Sequence, residues 1–234
     1  MSIIMCPGFK AAGVASGLKK KGQKDLGLLY SQVSATVAGL FTQNQVKAAP
    51  VLLDMELIKS GLCQAVIVNS GNANCCTGEQ GMRDAKTMTQ LAATELGISR
   101  DLVFVASTGV IGAPLPIEKV KTAVPGLVDS LKPEGIHDLA RSIMTTDTVP
   151  KTASAQGVVE GKAFTVTGVA KGAGMIRPDM ATMLCFVCTD VGVSPDVLKE
   201  TLVKAADRSF NRITIDGDTS TNDTVLIMAN GLSG

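Results

Sequence analysis

The sequence predicts an α/β fold, with mixed sheets covered by helices, on three observations. Short apolar runs of strand length, such as QAVIVN at 64–69 and DLVFVAS at 101–107, each lead into a glycine-rich loop. Each loop is followed by a stretch whose apolar residues recur at helical spacing, so strand, loop and helix form a repeating α/β unit. At 234 residues, 45% hydrophobic and 18% charged, the chain is long enough to bury one sizeable core or two small ones.

In chain order, residues 1–25 hold scattered Gly and Pro and little periodicity, and are expected as an extended, loop-rich lead-in. Residues 25–40 alternate apolar and polar side chains as a half-buried strand does, with Val33, Ala35 and Val37 on one face. Pro50 opens a short helix that Gly61 closes. After the strand at 64–69 and the loop SGNANCCTG, a helix is expected over 79–96. Met82, Ala85, Met88, Leu91 and Ala92 share one of its faces, and Gly97 stops it. The strand at 101–107 and the loop TGVIGAPLP precede a helix that opens near Pro116 and is interrupted at Pro125. An amphipathic helix covers 134–144. Two strands, 151–159 and 162–170, meet in a tight turn at Glu160-Gly161. A strand at 182–191 leads to a helix with Ser194 as N-cap and Pro195 in its first position. The polar loop GDTSTND and the strand TVLIMAN come last, and the chain is expected to continue beyond residue 234.

Composition removes several classes of function. The formal charge of +1 steers towards neither nucleic acid nor membrane. Aromatic residues are 3% of the chain, too few for base-stacking platforms. Lys19, Lys20 and Lys21 form the one dense basic run, read as a solvated loop. No apolar stretch reaches the roughly 20 residues of a membrane span, and no secretory leader is recognisable. The six cysteines are therefore expected to be buried, reduced thiols, and the expected location is cytoplasmic.

Conventional catalytic arrangements are also poorly supplied. His137 is the only histidine and sits inside a helix, which argues against Ser-His-Asp or Cys-His chemistry. Cys185 and Cys188 point to opposite faces if 182–191 is a strand, and Cys75 and Cys76 have no spacer, so no metal site is expected. No glycine loop matches a phosphate-binding signature. The loop at 216–222 lacks the glycine and glutamate of a calcium loop and is read as turn chemistry and a candidate part of a site.

Nucleophilic catalysis without histidine remains. The stretch 171–186, KGAGMIRPDMATMLCF, places Ala181-Thr182 at the mouth of an apolar strand. A threonine that becomes a chain N-terminus carries its own base, because an α-amine titrates at about 7.7 to 8. The preceding Gly and Pro residues suit an unusual backbone, which assists attack of the Thr182 hydroxyl on the Ala181 carbonyl.

KGAGMIRPDMATML closely resembles the self-cleavage segment of the ornithine acetyltransferase family, the glutamate N-acetyltransferases of arginine biosynthesis. FTQNQVKAAPV at 41–51, VNSGNAN at 68–74, STGVIG at 107–112, TTDT at 145–148 and FNRITIDGDTSTNDT at 210–224 agree in order. The resemblance implies a layered sandwich and a precursor cut at Ala181-Thr182. It makes residues 1–181 an α chain and residues 182–234 the start of a β chain, assembled as an α2β2 heterotetramer. It implies that Thr182 takes the acetyl group of N-acetylornithine and passes it to glutamate, with Thr108 and Gly109 as the oxyanion hole. Lys171, Thr148 and Thr182 match substrate contacts, with Thr146 a close alternative to Thr148. No cofactor is expected, and acetyl-CoA stands as a candidate second acetyl donor of a multifunctional enzyme. Two other readings stay open: an N-terminal-nucleophile aminopeptidase or amidase, and a non-catalytic small-molecule binding domain.

Overall fold

In a computed structural model the described residues are 3–20, 22–175 and 183–234. Their strands join in one mixed sheet with helices on both faces, which is the expected α/β layering. The elements are β1 (Phe9–Val14), β2 (Leu26–Phe41), α1 (Ala49–Leu57), β3 (Leu62–Asn72), α2 (Gly78–Leu96), β4 (Val103–Val110), α3 (Ile117–Asp129) and α4 (Ile136–Ile143). They continue with β5 (Lys151–Val159), β6 (Lys162–Lys171), β7 (Leu184–Thr189), α5 (Pro195–Arg208) and β8 (Thr224–Ala229). Among the described residues the sheet runs β4-β3-β2-β8-β7-β6-β5, with β1 against β2.

The long strand β2 joins the two halves. Leu26 to Ser31 pair with β1 on one edge, and β8 takes over that edge from Thr36 onward. Between Tyr30 and Ala35 the register against β3 slips, leaving Gln32, Val33 and Ser34 exposed. Val33 is thus turned out of the face it was expected to share with Ala35 and Val37, both buried. The parallel pairs β3-β4 and β7-β8 are each linked by a crossover helix, α2 and α5, as parallel pairing requires.

Alternation along the strands separates two apolar layers. On one face Leu29, Val68, Phe104, Phe186 and Met228 pack with Leu139 and Ile143 of α4. On the other, Leu28, Ile67 and Val105 meet Met88 of α2 and Val124 of α3, while Val225 and Cys185 meet Leu198 and Leu202 of α5. Each fully buried large side chain contributes about 1.5–3 kcal/mol.

Other expectations change as well. The lead-in contains β1, which lies so close to its neighbour that a glycine is needed on each side: a Cβ on Gly13 of β1 would fall 2.3 Å from the Asp138 carbonyl oxygen, and one on Gly135 before α4 would fall 1.7 Å from that of Ala11. The helix α4 and its preceding turn therefore lie directly on the β1 backbone. Pro125 does not interrupt α3, which runs on to Asp129; the proline is exposed, so the helix loses a ladder bond on its solvent side. Ser194 stands at the N-cap of α5 without a side-chain cap bond. The hairpin at Glu160-Gly161 forms as expected, with both residues at positive φ.

The cysteines are free; Cys6, Cys63, Cys75, Cys185 and Cys188 are buried, while Cys76 is exposed, contrary to expectation. Cys188 belongs to the α4 layer and Cys185 to the α5 layer, so the pair does face opposite ways. His137 is exposed on α4. No helix of the described residues is long and apolar enough to cross a membrane.

One buried acid caps an edge. Asp54 of α1 is fully buried, and its Oδ1 accepts the Val105 N–H at 3.0 Å, occupying the outer side of β4. Burial pushes its carboxyl well above 3.8, the Val105 hydrogen bond opposing only in part. The unfolded chain releases this proton before the folded one does, so stability falls as pH rises from about 4 towards the folded value. Asp54→Asn is expected to flatten that slope, gaining about 1–3 kcal/mol on the parent between about pH 5 and 8. Urea unfolding across that range checks it; parallel slopes for the two proteins would mean that Asp54 is ionised in the folded state.

Candidate active site

The polar ends of β3, β4, β6 and β8 converge on a cavity of about 390 Å³. Loop 69–74 frames it by side-chain amides. Asn69 Oδ1 accepts the Ser107 hydroxyl at 2.6 Å, and Asn69 Nδ2 donates to the Asn72 carbonyl at 2.9 Å. Asn72 Nδ2 donates to the Ala113 and Pro114 carbonyls at 3.0 and 3.1 Å, tying this loop to the one after β4. Across the cavity Asn222 Nδ2 donates to the carbonyls of Ala73 and Ser107, at 2.7 and 2.8 Å. One amide from the segment before β8 thereby locks the ends of β3 and β4.

Thr108, Gly109 and Lys171 all line this cavity. Thr108 is buried at the end of β4, where Lys171 Nζ donates to its Oγ1 at 3.2 Å. Lys171 ends β6 and is 5% exposed, far from the solvated lysine that a glycine-rich loop suggests. Burial lowers its pKa below the usual 10.5; the carboxylates of Asp147 and Asp223 oppose the fall. Gly109 has φ 137°, and a Cβ there would lie 2.4 Å from the Gly71 carbonyl carbon. That close approach is what lets β4 end against the bend in β3.

Asp147 is the residue that the sequence reading missed. It is buried in TTDT, and its carboxylate accepts from Lys151 Nζ, from Gly172 N–H at 2.9 Å and from Thr145 N–H at 3.4 Å. Burial alone would raise its pKa, but these donors outweigh it and hold the acid below its usual range. Thr145, Thr146 and Thr148 are all exposed; the first two line the cavity and Thr148 is not among its described lining residues.

Ala181 and Thr182 lie outside the described residues, as does Lys21. Their flanks are fixed. Lys171 pairs with Leu184 across β6 and β7. Met183 N–H donates to Asp223 Oδ1 at 2.8 Å, and its carbonyl accepts Thr224 N–H at 3.0 Å. Met175, in the GAGM turn, holds the left-handed conformation at φ 59°, and its N–H donates to Asp216. The loop at 216–222, read from the sequence as turn chemistry and a candidate part of a site, supplies Asp216, Asp218 and Ser220 to the cavity wall. A larger groove of about 600 Å³ along β5, β6 and β7 is lined mainly by small and apolar side chains, with Lys151 the one charged residue of its lining among the described residues.

The fold is like one described as a variant among the Ntn hydrolases. The L-aminopeptidase D-Ala-esterase/amidase of Ochrobactrum anthropi, described as a variant of the Ntn-hydrolase fold, matches 98% of this chain with a TM-score of 0.63 at 13% identity, a likeness of fold alone. The chain belongs to the ArgJ family, whose model matches residues 10–234. The arginine biosynthesis bifunctional protein ArgJ of Geobacter sulfurreducens is 53% identical over 97% of this chain, which spans 58% of that relative. The solved argJ protein of Bacillus halodurans gives a TM-score of 0.72 at 45% identity, over 77% of this chain and 95% of that one. The ornithine acetyltransferase of Mycobacterium tuberculosis, solved with ornithine, gives 0.66 at 36% identity, over 76% and 95%.

Because the Gly109 contact is backbone to backbone, Gly109→Ala is expected to cost about 1–3 kcal/mol of stability and to displace the end of β4. Chemical denaturation measures it; an unchanged midpoint would mean that the β3 bend yields freely.

Proposed function

We propose that this chain carries the acyl-transfer site of an acetyltransferase of arginine biosynthesis, which moves the acetyl group of N-acetylornithine to glutamate. The observation that carries the reading is the buried Lys171–Thr108 pair at the strand ends, placed in register with the chain that directly follows Thr182. The names of the ArgJ relatives support it, as does the ornithine bound by the Mycobacterium protein.

The Thr182 hydroxyl attacks the Ala181 carbonyl carbon, and the peptide C–N bond breaks to leave an ester and a free Thr182 amine. Water then hydrolyses the ester, leaving residues 1–181 and a piece that starts at Thr182. The solved relatives' chains support such a cut, since each is almost wholly matched by about three-quarters of this one. The freed amine takes the hydroxyl proton of Thr182 as its oxygen attacks the acetyl carbonyl. Ornithine leaves with that proton, and the amine of glutamate attacks the acetyl ester in turn, regenerating the hydroxyl.

Thr108 and Gly109 serve the oxyanion of both steps. Because Thr108 Oγ1 already accepts a hydrogen bond from the Lys171 ammonium, its own proton is directed elsewhere and made more acidic. Lys171 attracts the α-carboxylate of either amino acid as a point charge. Thr146, on the cavity wall, is better placed for the threonine contact than Thr148, which is not among the described lining residues. Neither step needs a bound cofactor, and acetyl-CoA fits as a second acetyl donor, in keeping with the bifunctional naming of the relatives. The cut pieces stay together as an αβ unit that pairs into α2β2 in the cytoplasm.

Thr182→Ala is expected to yield one uncut chain with no acetyl transfer, read by intact mass under denaturing conditions and by N-acetylglutamate formation. A variant that still transfers acetyl groups would sink the mechanism, and release of acetate in place of transfer would favour an amidase. Thr108→Ala is expected to keep the fold and to slow both cleavage and transfer by about a hundredfold to a thousandfold, the loss usual for one oxyanion donor. Unchanged rates would remove Thr108 from that role.

A further inference from the structure

A second cavity, of about 340 Å³, adjoins the first. Thr145 lines both, and Lys19, Lys24, Arg141 and Asp147 line the second. Lys19 comes from the run expected as a solvated loop, yet it is half-buried. Its Nζ donates to the backbone carbonyls of Met144 and Lys24, the latter at 3.2 Å, while the carboxylates of Asp25 and Asp147 act on its charge from a distance without bonding the ammonium.

The acids nearby are committed to other groups. Asp25 accepts from Ser16 N–H and hydroxyl at 2.6 and 2.7 Å and from Lys19 N–H at 2.8 Å. Asp138 pairs with Lys24 at 2.7 Å, and Asp147 is held by Lys151 and Gly172. Arg141, exposed in the last turn of α4, has no hydrogen-bond or ion-pair partner among the described residues. A cavity with a guanidinium at its rim and a half-buried ammonium in its wall attracts an anion, and the planar guanidinium fork matches a phosphate or a carboxylate. Asp147, in its wall, accepts from Gly172, the neighbour of Lys171, and Thr145 lines both cavities, so the two lie side by side.

We propose that the cavity between Lys19 and Arg141 is an anion subsite that holds the charged end of a substrate whose reacting end lies in the Thr108–Lys171 cavity. Resting on the acetyl-transfer reading, two sources share this chemistry: the phosphates of a thioester acetyl donor and the side-chain carboxylate of glutamate.

The test is calorimetric titration of inorganic pyrophosphate into the full-length protein at low salt, which needs no turnover and so stands or falls apart from the acetyl-transfer assay. Arg141→Glu is expected to weaken binding by about tenfold or more, as loss of a charge-assisted hydrogen bond does, and Arg141→Lys to restore most of it. Steady-state kinetics of Arg141→Glu then separates the sources. A comparable rise in the KM for acetyl-CoA assigns the subsite to phosphates, and a rise in that for glutamate assigns it to the carboxylate. Pyrophosphate that fails to bind, or binds parent and Arg141→Glu alike, overturns the proposal, and so does a KM for both substrates that the variant leaves unmoved.

Discussion

An ammonium group buried at the end of β6 sets the terms for much of this structure. Moving a charge out of water costs several kcal/mol unless counter-charge and hydrogen-bond partners are already in place. For Lys171 these come from three separate elements: the Thr108 hydroxyl at the end of β4, Asp147 after α4, and Asp223 before β8. Each supporter is in turn immobilised. Asp147 is held by Lys151 and by the Gly172 N–H, and Asp223 is tied to Met183.

The elements legible in the sequence were those whose signal is local. The α2 face repeats at helical spacing and ends on a left-handed glycine, and the β5-β6 turn needs two residues at positive φ. What misled was set by contacts between distant segments. Half of Phe9–Val14 is small, Gly13 because α4 lies on it, and small residues weaken the alternation that marks a strand. Val33 alternates correctly yet falls in a register slip, a property of the β2-β3 pair and of neither strand alone.

The site divides in the same way. Thr108, Gly109 and Lys171 were singled out, and the fold brings them to one cavity although Lys171 is more than sixty residues beyond the other two. Asp147 stood inside a noted motif and was passed over for its threonine neighbours. Nothing local distinguishes a buried acid from a solvated one; its role appears only when Lys151 and the Gly172 N–H arrive from the next strands. Lys19 carries the same lesson with the opposite charge, since a basic run beside glycines gives no hint that one of its members reaches the carbonyl that ends α4.

The sheet order bears on how a chain cut at residue 181 would stay assembled. Residues 183–234 contribute β7 and β8, which lie between β2 on one side and β6 on the other. Both flanking strands belong to the part before the cut, and both pairings are antiparallel ladders of six residue pairs. Phe186 and Met228 add side chains to the layer under α4, so the later piece also fills the core of the earlier one. A break at the entrance to β7 therefore removes one covalent link from a sheet whose hydrogen bonds and packing cross between the pieces on two fronts. Met183, the first described residue after that point, is held by Asp223 and leads straight into the β6-β7 register, contacts that do not depend on the peptide bond before it.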